Sequence, residues 1–378
     1  MPKYPSATIN KHFSDLEDPR IDRAKLHPLI NILTIALCGA ISGADTWVDI
    51  ELFGESKEQW FASFLDMSNG IPSHDTFGRV FSLLDAEQFQ NCFINWVQAI
   101  CEVLEGQVVA VDGKTLRRSH DRTSGKDAIH MVSAWAAKNQ VVLGQIKVDD
   151  KSNEITAIPA LLDMLDVSGC IVTIDAIGCQ KKIAQQIIDQ GADYILALKS
   201  NQDRVYQDAQ TLFEDAEAIG FEDCDHCRTF DKGHGRIEIR ECWTTAHPEY
   251  LNALYKPEQW TGLQSVIKVY AERRLKDKTE TETRYYISSL PGDDAKQLLR
   301  AIRTHWHIEN RLHWVLDVTF REDNSRIRKG NAAQNMAVLR HMALNLLKRE
   351  QSTKRSMRGK RLKAGWDERY LVQVLCGC

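Results

Sequence analysis

Three acids in this chain stand where carboxylates could act together. Asp112 closes the apolar run VVAVD (108–112), and Asp175 closes CIVTID (170–175). If both runs are buried strands of one open α/β sheet, the two aspartates lie at strand carboxyl ends, where such sheets hold their ligand chemistry. Aspartate is also common as a cap or turn residue, so neither position alone separates a site from a turn. Glu309 is the third acid. On a helix drawn from 295 to 316, Leu299, Ile302, Trp306, Glu309, His313 and Leu316 share one stripe at steps of three and four. A carboxylate on a core-facing stripe is costly unless paired or bound to a cation. His305 and His313, one turn away on either side, offer the pairing alternative. Three carboxylates are hard oxygen ligands that suit Mg²⁺ or Mn²⁺ better than zinc. They can hold two ions about 4 Å apart, the arrangement for in-line displacement at phosphorus. Lys114, Arg117 and Arg118, just past Asp112, would then meet the phosphates of the substrate.

The elements that must position these acids are legible as changes of texture. Residues 1–105 read as a helical module: LHPLINILTIALCGAISG has helical apolar spacing and stops at glycine. SHDTFGRVFSLLDAEQFQNCFINWVQAICEVLE follows with a cap at Ser73 or Asp75 and a long amphipathic pattern. From Gly106 short apolar runs (108–112, 130–137, 141–148, 170–175, 194–199) alternate with helical stretches at 156–165 and 180–191, which predicts an α/β core with a mixed or parallel sheet buried on both faces. Between about 200 and 295, HGRIEIRECWTT, QSVIKVYAERRLKD and TETETRYYISSL alternate polar and apolar, as half-exposed antiparallel strands do. A long helix is expected from Ala295.

Composition narrows the class. The chain has 378 residues, 43% hydrophobic and 26% charged, enough for two or three domains of an ordinary globular kind. No run of about 18 apolar residues occurs, and MPKYPSATINKHF lacks the apolar centre of a signal peptide, so no membrane span and a cytoplasmic location are expected. The ten cysteines show no framework spacing and read as thiols in a reducing compartment. A net charge of −4 argues against a uniformly basic nucleic-acid binder, but KREQSTKRSMRGKRLK (348–363) holds eight Lys/Arg and one Glu. That segment reads equally as a polyanion contact or as a solvated, partly disordered basic tail (348–378).

VVAVDGKTLRRS, IVTIDAIGCQKKIAQQIIDQGADYILALKSNQ, KGHGRIEIRE and HWHIENRLHWVLDVTFREDNSRIR together resemble the DDE transposases of bacterial insertion sequences, the group that includes the H-repeat-associated proteins. The resemblance covers nearly the whole chain. It implies a ribonuclease H-like mixed sheet core with helices on both faces (106–200 and 296–347), interrupted by a β-rich insertion (201–295), with the N-terminal helices as a candidate module for DNA ends. The implied activity is metal-dependent cleavage at the ends of the element and strand transfer into target DNA. Two Mg²⁺ or Mn²⁺ ions, double-stranded DNA and a homodimer in the active complex go with it. By motif, the three acids fall on Asp112, Asp175 and Glu309, with Asp112 bridging. Related enzymes often carry Tyr, Arg and Lys seven before, four before and seven after the glutamate; here stand Ile302, His305 and Leu316. Phosphate contacts are therefore expected from Lys114, Arg118, Lys199 and His305, and Arg311, His313 or Arg321 are expected to substitute in the DNA contacts. A metal-dependent nuclease without strand transfer would use the same residues. A catalytically silent, transposase-derived DNA-binding protein could retain them.

Four further features carry alternatives. CDHC (224–227), with His234 and Cys242 beyond, has zinc spacing for one pair but lacks a clean second pair, so thiols are preferred. In KGHGRIEIR (232–240), Arg236 and Arg240 would share one strand face as a DNA ridge or as a solvated face. Trp243 and Trp260 could stack on an unpaired base, although Trp is more often core. GIPSHDTFGRVFSLLD could be a DNA-binding helix or a packing helix.

Overall fold

The computed structural model describes residues 11–101, 104–120, 127–148, 153–233 and 235–376. The N-terminal region forms α1 (Leu29–Ser42), α2 (Trp47–Ser56), α3 (His74–Leu83) and α4 (Ala86–Ile100). Helix α1 is apolar all round and buried from Asn31 to Ile41, as a helix enclosed by others must be. Its end is set by Gly43, whose φ of 105° lets its N–H reach the Gly39 carbonyl. The long amphipathic stretch expected from Ser73 is two helices rather than one. Ser73 caps α3 and Asp85 caps α4, because an aspartate that accepts from Gln88 N starts a new helix more readily than it continues an old one.

Nine described strands make one sheet: β1 (Val108–Thr115), β2 (His130–Ala136), β3 (Val141–Lys147), β4 (Ile171–Ile174), β5 (Asp193–Leu198), β6 (Asp225–Gly233), β7 (Arg236–Thr245), β8 (Ser265–Arg274) and β9 (Thr279–Ser288). Their order is β3-β2-β1-β4-β5-β9-β8-β7-β6. β1, β4 and β5 are parallel, β2 runs against both β1 and β3, and β9 runs against β5. Between β3 and β4 lies α5 (Glu154–Asp163), between β4 and β5 α6 (Lys181–Asp189), and after β5 α7 (Asp203–Ala218). The residues from 201 to 295 are therefore not a separate β body. They begin with a helix that buries Val205, Ala209, Leu212 and Phe213, and their strands extend the central sheet through Ile195↔Ser288 to Leu198↔Tyr285.

Both faces of the centre are covered. Ile171 and Ile195 pack with α8 (Ala295–His305), while their neighbours Val172 and Leu196 pack in the larger core with α4, α5 and α6. Side chains alternate faces along a strand, so α8 lies on one side and α5 and α6 on the other. The helix expected over 295–316 is broken. α8 stops at His305, a π-helical turn spans Glu309–His313, and α9 covers Trp314–Val318. Trp306, placed on the buried stripe by periodicity, is 44% exposed because the stripe does not continue through the break.

The basic C-terminal segment is folded rather than a solvated tail. Helix α10 (Ala332–Arg349) runs buried between the N-terminal helices and β3; α11 (Met357–Trp366) and α12 (Glu368–Cys376) follow and pack on α1. Lys360 is buried against the Leu347 carbonyl and Glu350. Arg361 donates to the carbonyls of Ala40 and Thr319 and pairs with Asp45 at 2.8 Å, its side chain 5% exposed. Removing one partner of a buried pair leaves the other uncompensated. Arg361→Ala should cost about 3–5 kcal/mol and shift the denaturant midpoint accordingly in equilibrium unfolding, whereas an alanine at exposed Arg358 should change it little.

Candidate active site

The site is built where β1 meets β4. Their parallel register pairs Val111 with Ile174, so Asp112 and Asp175 follow at equivalent places on adjacent strands. Alternation puts both on the face covered by α8, with Thr173 between them and the helix. Asp175 is just past the strand; its carboxylate accepts from the Ile177 N–H and caps a 3₁₀ turn (Ala176–Gly178). Asp175 thus takes the turn role expected of a lone aspartate while standing beside Asp112. Glu309 reaches the same place from the π turn after α8. A π turn inserted in a helical segment is common at functional positions.

His313 joins the carboxylates. Its Nδ1 is 3.1 Å from Glu309 Oε2 and 3.6 Å from Asp112 Oδ2, and its ring is 5% exposed with Nε2 lacking a partner. One donor atom from each of Asp112, Glu309 and His313 lies within 4.8 Å of the others, so these three could share an ion. Asp175 lines the same cavity of about 320 Å³ together with Asp112, Glu309, Lys199 and His305. The pairing foreseen for Glu309 is therefore met by His313.

Electrostatics follow from this crowding. Burial pushes the Asp112 carboxyl up to about 6, the charges of Asp175 and Glu154 adding to the rise and His313 opposing it. Burial also raises Asp175, against the Ile177 N–H and the Lys199 charge. Glu309 is lowered, first by its hydrogen bond with His313. His305 is held down to about 4 by burial; its Nδ1 lies 3.0 Å from the Thr173 hydroxyl. At neutral pH it is an uncharged hydrogen-bonding group, not a cation.

Glu154, at the start of α5, was not singled out from sequence, where it looks like an ordinary first-turn acid. It lies on the opposite face of β1. A Cβ at Gly113 would fall 2.1 Å from Glu154 Oε1 and 2.6 Å from His130 Nε2, so the glycine beside Asp112 leaves the space that this pair fills. His130 Nε2 meets Glu154 Oε1 at 2.5 Å, and its Nδ1 meets the Thr115 hydroxyl at 2.8 Å. Glycine next to the first aspartate was the available signal.

The remaining expected contacts are dispersed. Lys114 is found paired: its Nζ is held by Asp317 at 2.5 Å and Glu322 at 2.7 Å, with 12% of the side chain exposed. Its charge ties α9 and the following turn to β1, which positions the Glu309 segment. Arg117 is exposed near Asp323 at 3.3 Å, and Arg118 is exposed, its carbonyl accepting from Arg328. Arg321 is exposed at φ 51° and Arg311 half-buried; neither lines the carboxylate cavity. Arg236 and Arg240 share a face as expected, but Glu238 between them pairs with both, at 2.8 and 2.6 Å. Trp260 is core, 2% exposed, and Trp243 stacks on Phe221 at 5.0 Å, so neither presents a ring to a base at this site. Cys227 faces Cys242 across the β6–β7 pair, Cys224 precedes β6, and His234 lies outside the described residues.

A family profile described as "Transposase DDE domain" matches residues 104–346, which include all three acids and every strand of the sheet. The chain belongs to the DDE transposase family. A second profile, "DDE_Tnp_1-associated", matches residues 10–97, the helices α1 to α4. The chain is 42% identical over 373 residues to "H repeat-associated putative transposase YhhI" of Escherichia coli K12, covering 98% of both chains. It is 43% identical over 74 residues to "Inactive transposase YbfQ" of the same organism, covering 20% of this chain and 88% of that one. A piggyBac transposase synaptic complex with hairpin DNA aligns with a TM-score of 0.45 at 9% identity, covering 98% of this chain and 81% of that one. Helices α11 and α12 lie outside both matched segments of this transposase. Among the described residues no single helix is long and apolar enough to cross a membrane.

The raised Asp112 carboxyl has a definite sign. Its folded-state value lies above that of an unfolded aspartate, so ionising it destabilises the fold as pH rises from about 4 to about 6. Without divalent cation at pH 7.5, Asp112→Asn should therefore be more stable than the parent by about 3 kcal/mol, read as an upward Tm shift. Mn²⁺ affinity of the parent, measured by titration calorimetry, should fall as pH drops below about 6, because protons compete for the same carboxylate.

Proposed function

We propose that this transposase cleaves DNA at the ends of an insertion sequence and joins the ends to target DNA, with Asp112, Asp175 and Glu309 as its metal-holding carboxylates. The observation that carries the reading is the parallel register that sets Asp112 beside Asp175, with Glu309 brought to the same cavity. The strand order β3-β2-β1-β4-β5, with only β2 reversed, supports a ribonuclease H-like core formed by 106–200 with 296–347.

The donor set fits divalent cations. Three carboxylates converge on one cavity, and Asp112 bears a buried charge that a cation would relieve. Asp112, as the bridge, with Asp175 and Glu309 would hold two Mg²⁺ or Mn²⁺. When bound, such ions supply an activated water or 3′-hydroxyl and stabilise the leaving oxygen. The protein does the rest by positioning. Lys199, exposed at the cavity, offers a cation to the substrate phosphate, and neutral His305 offers only a hydrogen bond. Lys114 keeps the Glu309 segment docked on β1. Double-stranded DNA is the partner, and two ends held together call for two copies of the chain. The N-terminal helices remain our choice for contacts with the ends, and the cytoplasm for the location.

Purified protein incubated with Mn²⁺ and a marker flanked by the DNA on either side of its gene should give cut ends and joined products. Asp175→Asn should reduce both by at least about a thousandfold, as for removal of one essential member of a catalytic set. Cutting without joining would make the protein a nuclease. A folded, DNA-binding parent as inert as the variant would make it a catalytically silent relative.

A further inference from the structure

The two halves of the Cys-x-x-Cys stretch at 224–227 part company in the fold. Cys224 packs with Phe221 and Trp243 against the larger core, whereas Cys227 faces the other side of the sheet, against the cluster of Cys242, Ala295, Leu298 and Leu299. Cys227 and Cys242 are direct partners in the antiparallel register of β6 and β7. Such partners project to the same face, with Cα atoms about 4.5 or about 5.5 Å apart according to the type of pair, and both values lie inside the roughly 4.4–6.8 Å that a disulfide spans. The two thiols are hydrogen-bonded to each other. Among the described residues no third His, Cys, Asp or Glu closes on them at ligand distance, so the pair lacks the further ligands that a structural zinc takes.

The surroundings give the two sulfurs different roles. Cys242 is fully buried beneath α8, and Cys227 is partly exposed on the last strand of the sheet. The hydrogen bond with Cys242 lowers the Cys227 thiol, against its burial, and the same bond together with burial raises Cys242. Cys227 is therefore both the reachable thiol and the readier thiolate. Among the described strands β6 is bonded to β7 alone, and most of its side chains are exposed. Its inward side chains hold α8 at two places: Asp225 accepts from the Ala295 N–H at 2.7 Å, and Asp231 pairs with Arg303 at 2.8 Å. Cys227 lies between these two on the same face of the strand. A covalent tie at that point would fix an edge strand that is otherwise held by its ladder and a few polar contacts.

We propose that Cys227 and Cys242 form a reversible disulfide site, closed by hydrogen peroxide, that staples the edge strand β6 to β7 beneath α8. The Cys227 thiolate attacks one peroxide oxygen, the O–O bond breaks and hydroxide leaves. The Cys242 sulfur then attacks the resulting sulfenic acid, forming the S–S bond and releasing water that carries the Cys242 proton. Two electrons pass from the sulfurs to the peroxide, and a dithiol reductant restores both thiols. The test treats the reduced full-length protein with hydrogen peroxide in EDTA, blocks remaining thiols with N-ethylmaleimide in denaturant, and maps the digest by mass spectrometry. A link between the Cys227 and Cys242 peptides of one chain should form before the buried thiols Cys38 and Cys179 react, and should vanish with dithiothreitol. It should persist in Cys224→Ser and be lost in Cys227→Ser. In Cys242→Ala the reaction should stop at Cys227 as a sulfenic acid trapped by dimedone. The closed form should melt at a higher temperature than the reduced one, and its β6 amides should exchange more slowly. Circular dichroism checks the fold of each variant, and Cys242→Val replaces the alanine if that variant unfolds. Full alkylation of both thiols at a peroxide dose that oxidises other cysteines, a link to Cys224 instead, or a link only between chains overturns the proposal. One equivalent of zinc retained by the reduced protein and lost in Cys227→Ser overturns it in favour of a metal site. None of these outcomes touches the transposase reading, which rests on the carboxylates.

Discussion

The parallel pairing of β1 with β4 places two carboxylates side by side at the carboxyl ends of interior strands, and much of the surrounding structure answers that constraint. Burial raises the proton affinity of Asp112, and the neighbouring carboxylates add to the rise. His313 is brought against Asp112 and Glu309 by the π turn. The Asp175 carboxylate accepts a backbone N–H from its own turn, and Lys199 stands nearby. None of this removes the cost of assembling three acids. A site left so short of positive charge is suited to accept a cation, which is the physical content of the metal reading.

Holding the third acid in place is a separate task, because Glu309 comes from a segment more than a hundred residues after Asp175. Two devices do it. The apolar face of α8 packs on Ile171, Ile195 and Ile267. Beyond the site, Lys114 on β1 is clamped by Asp317 and Glu322, and Glu322 is also met by Arg340 of the buried helix α10 at 3.7 Å. A buried ion pair adds little net stability over an apolar contact but tolerates few alternative arrangements, which suits a positioning role. Helix α10 in turn packs on α1, α3, α4 and β3, so the N-terminal helices and the central sheet share one core.

The segment between β5 and α8 illustrates what a continuous sheet provides. Because β9 adds directly to β5, the four outer strands extend the central sheet, and α8 crosses from the outer strands to β1. The carboxylate cavity is consequently lined by Glu282, Arg284 and Tyr286 of β9 as well as by the three acids.

The amino-acid sequence alone determined the local elements and the identity of the acids. Unbroken apolar runs ending in Asp112 and Asp175 announced buried strands, and alternation announced β7, β8 and β9, because burial on two faces or one imposes different periods. It missed β6, read as a cysteine cluster, and α7, whose pattern sat inside a region judged by its strands. It also carried the Glu309 stripe through a break that periodicity does not register. Tertiary structure decided the rest: which cations remain available, since Lys114, Arg236, Arg240 and Arg361 are taken by carboxylates distant in sequence or hidden by alternation; which tryptophans are exposed; and that a basic tail is a pair of docked helices. A residue's charge and spacing are local properties, but whether that charge is neutralised depends on what the fold brings opposite it.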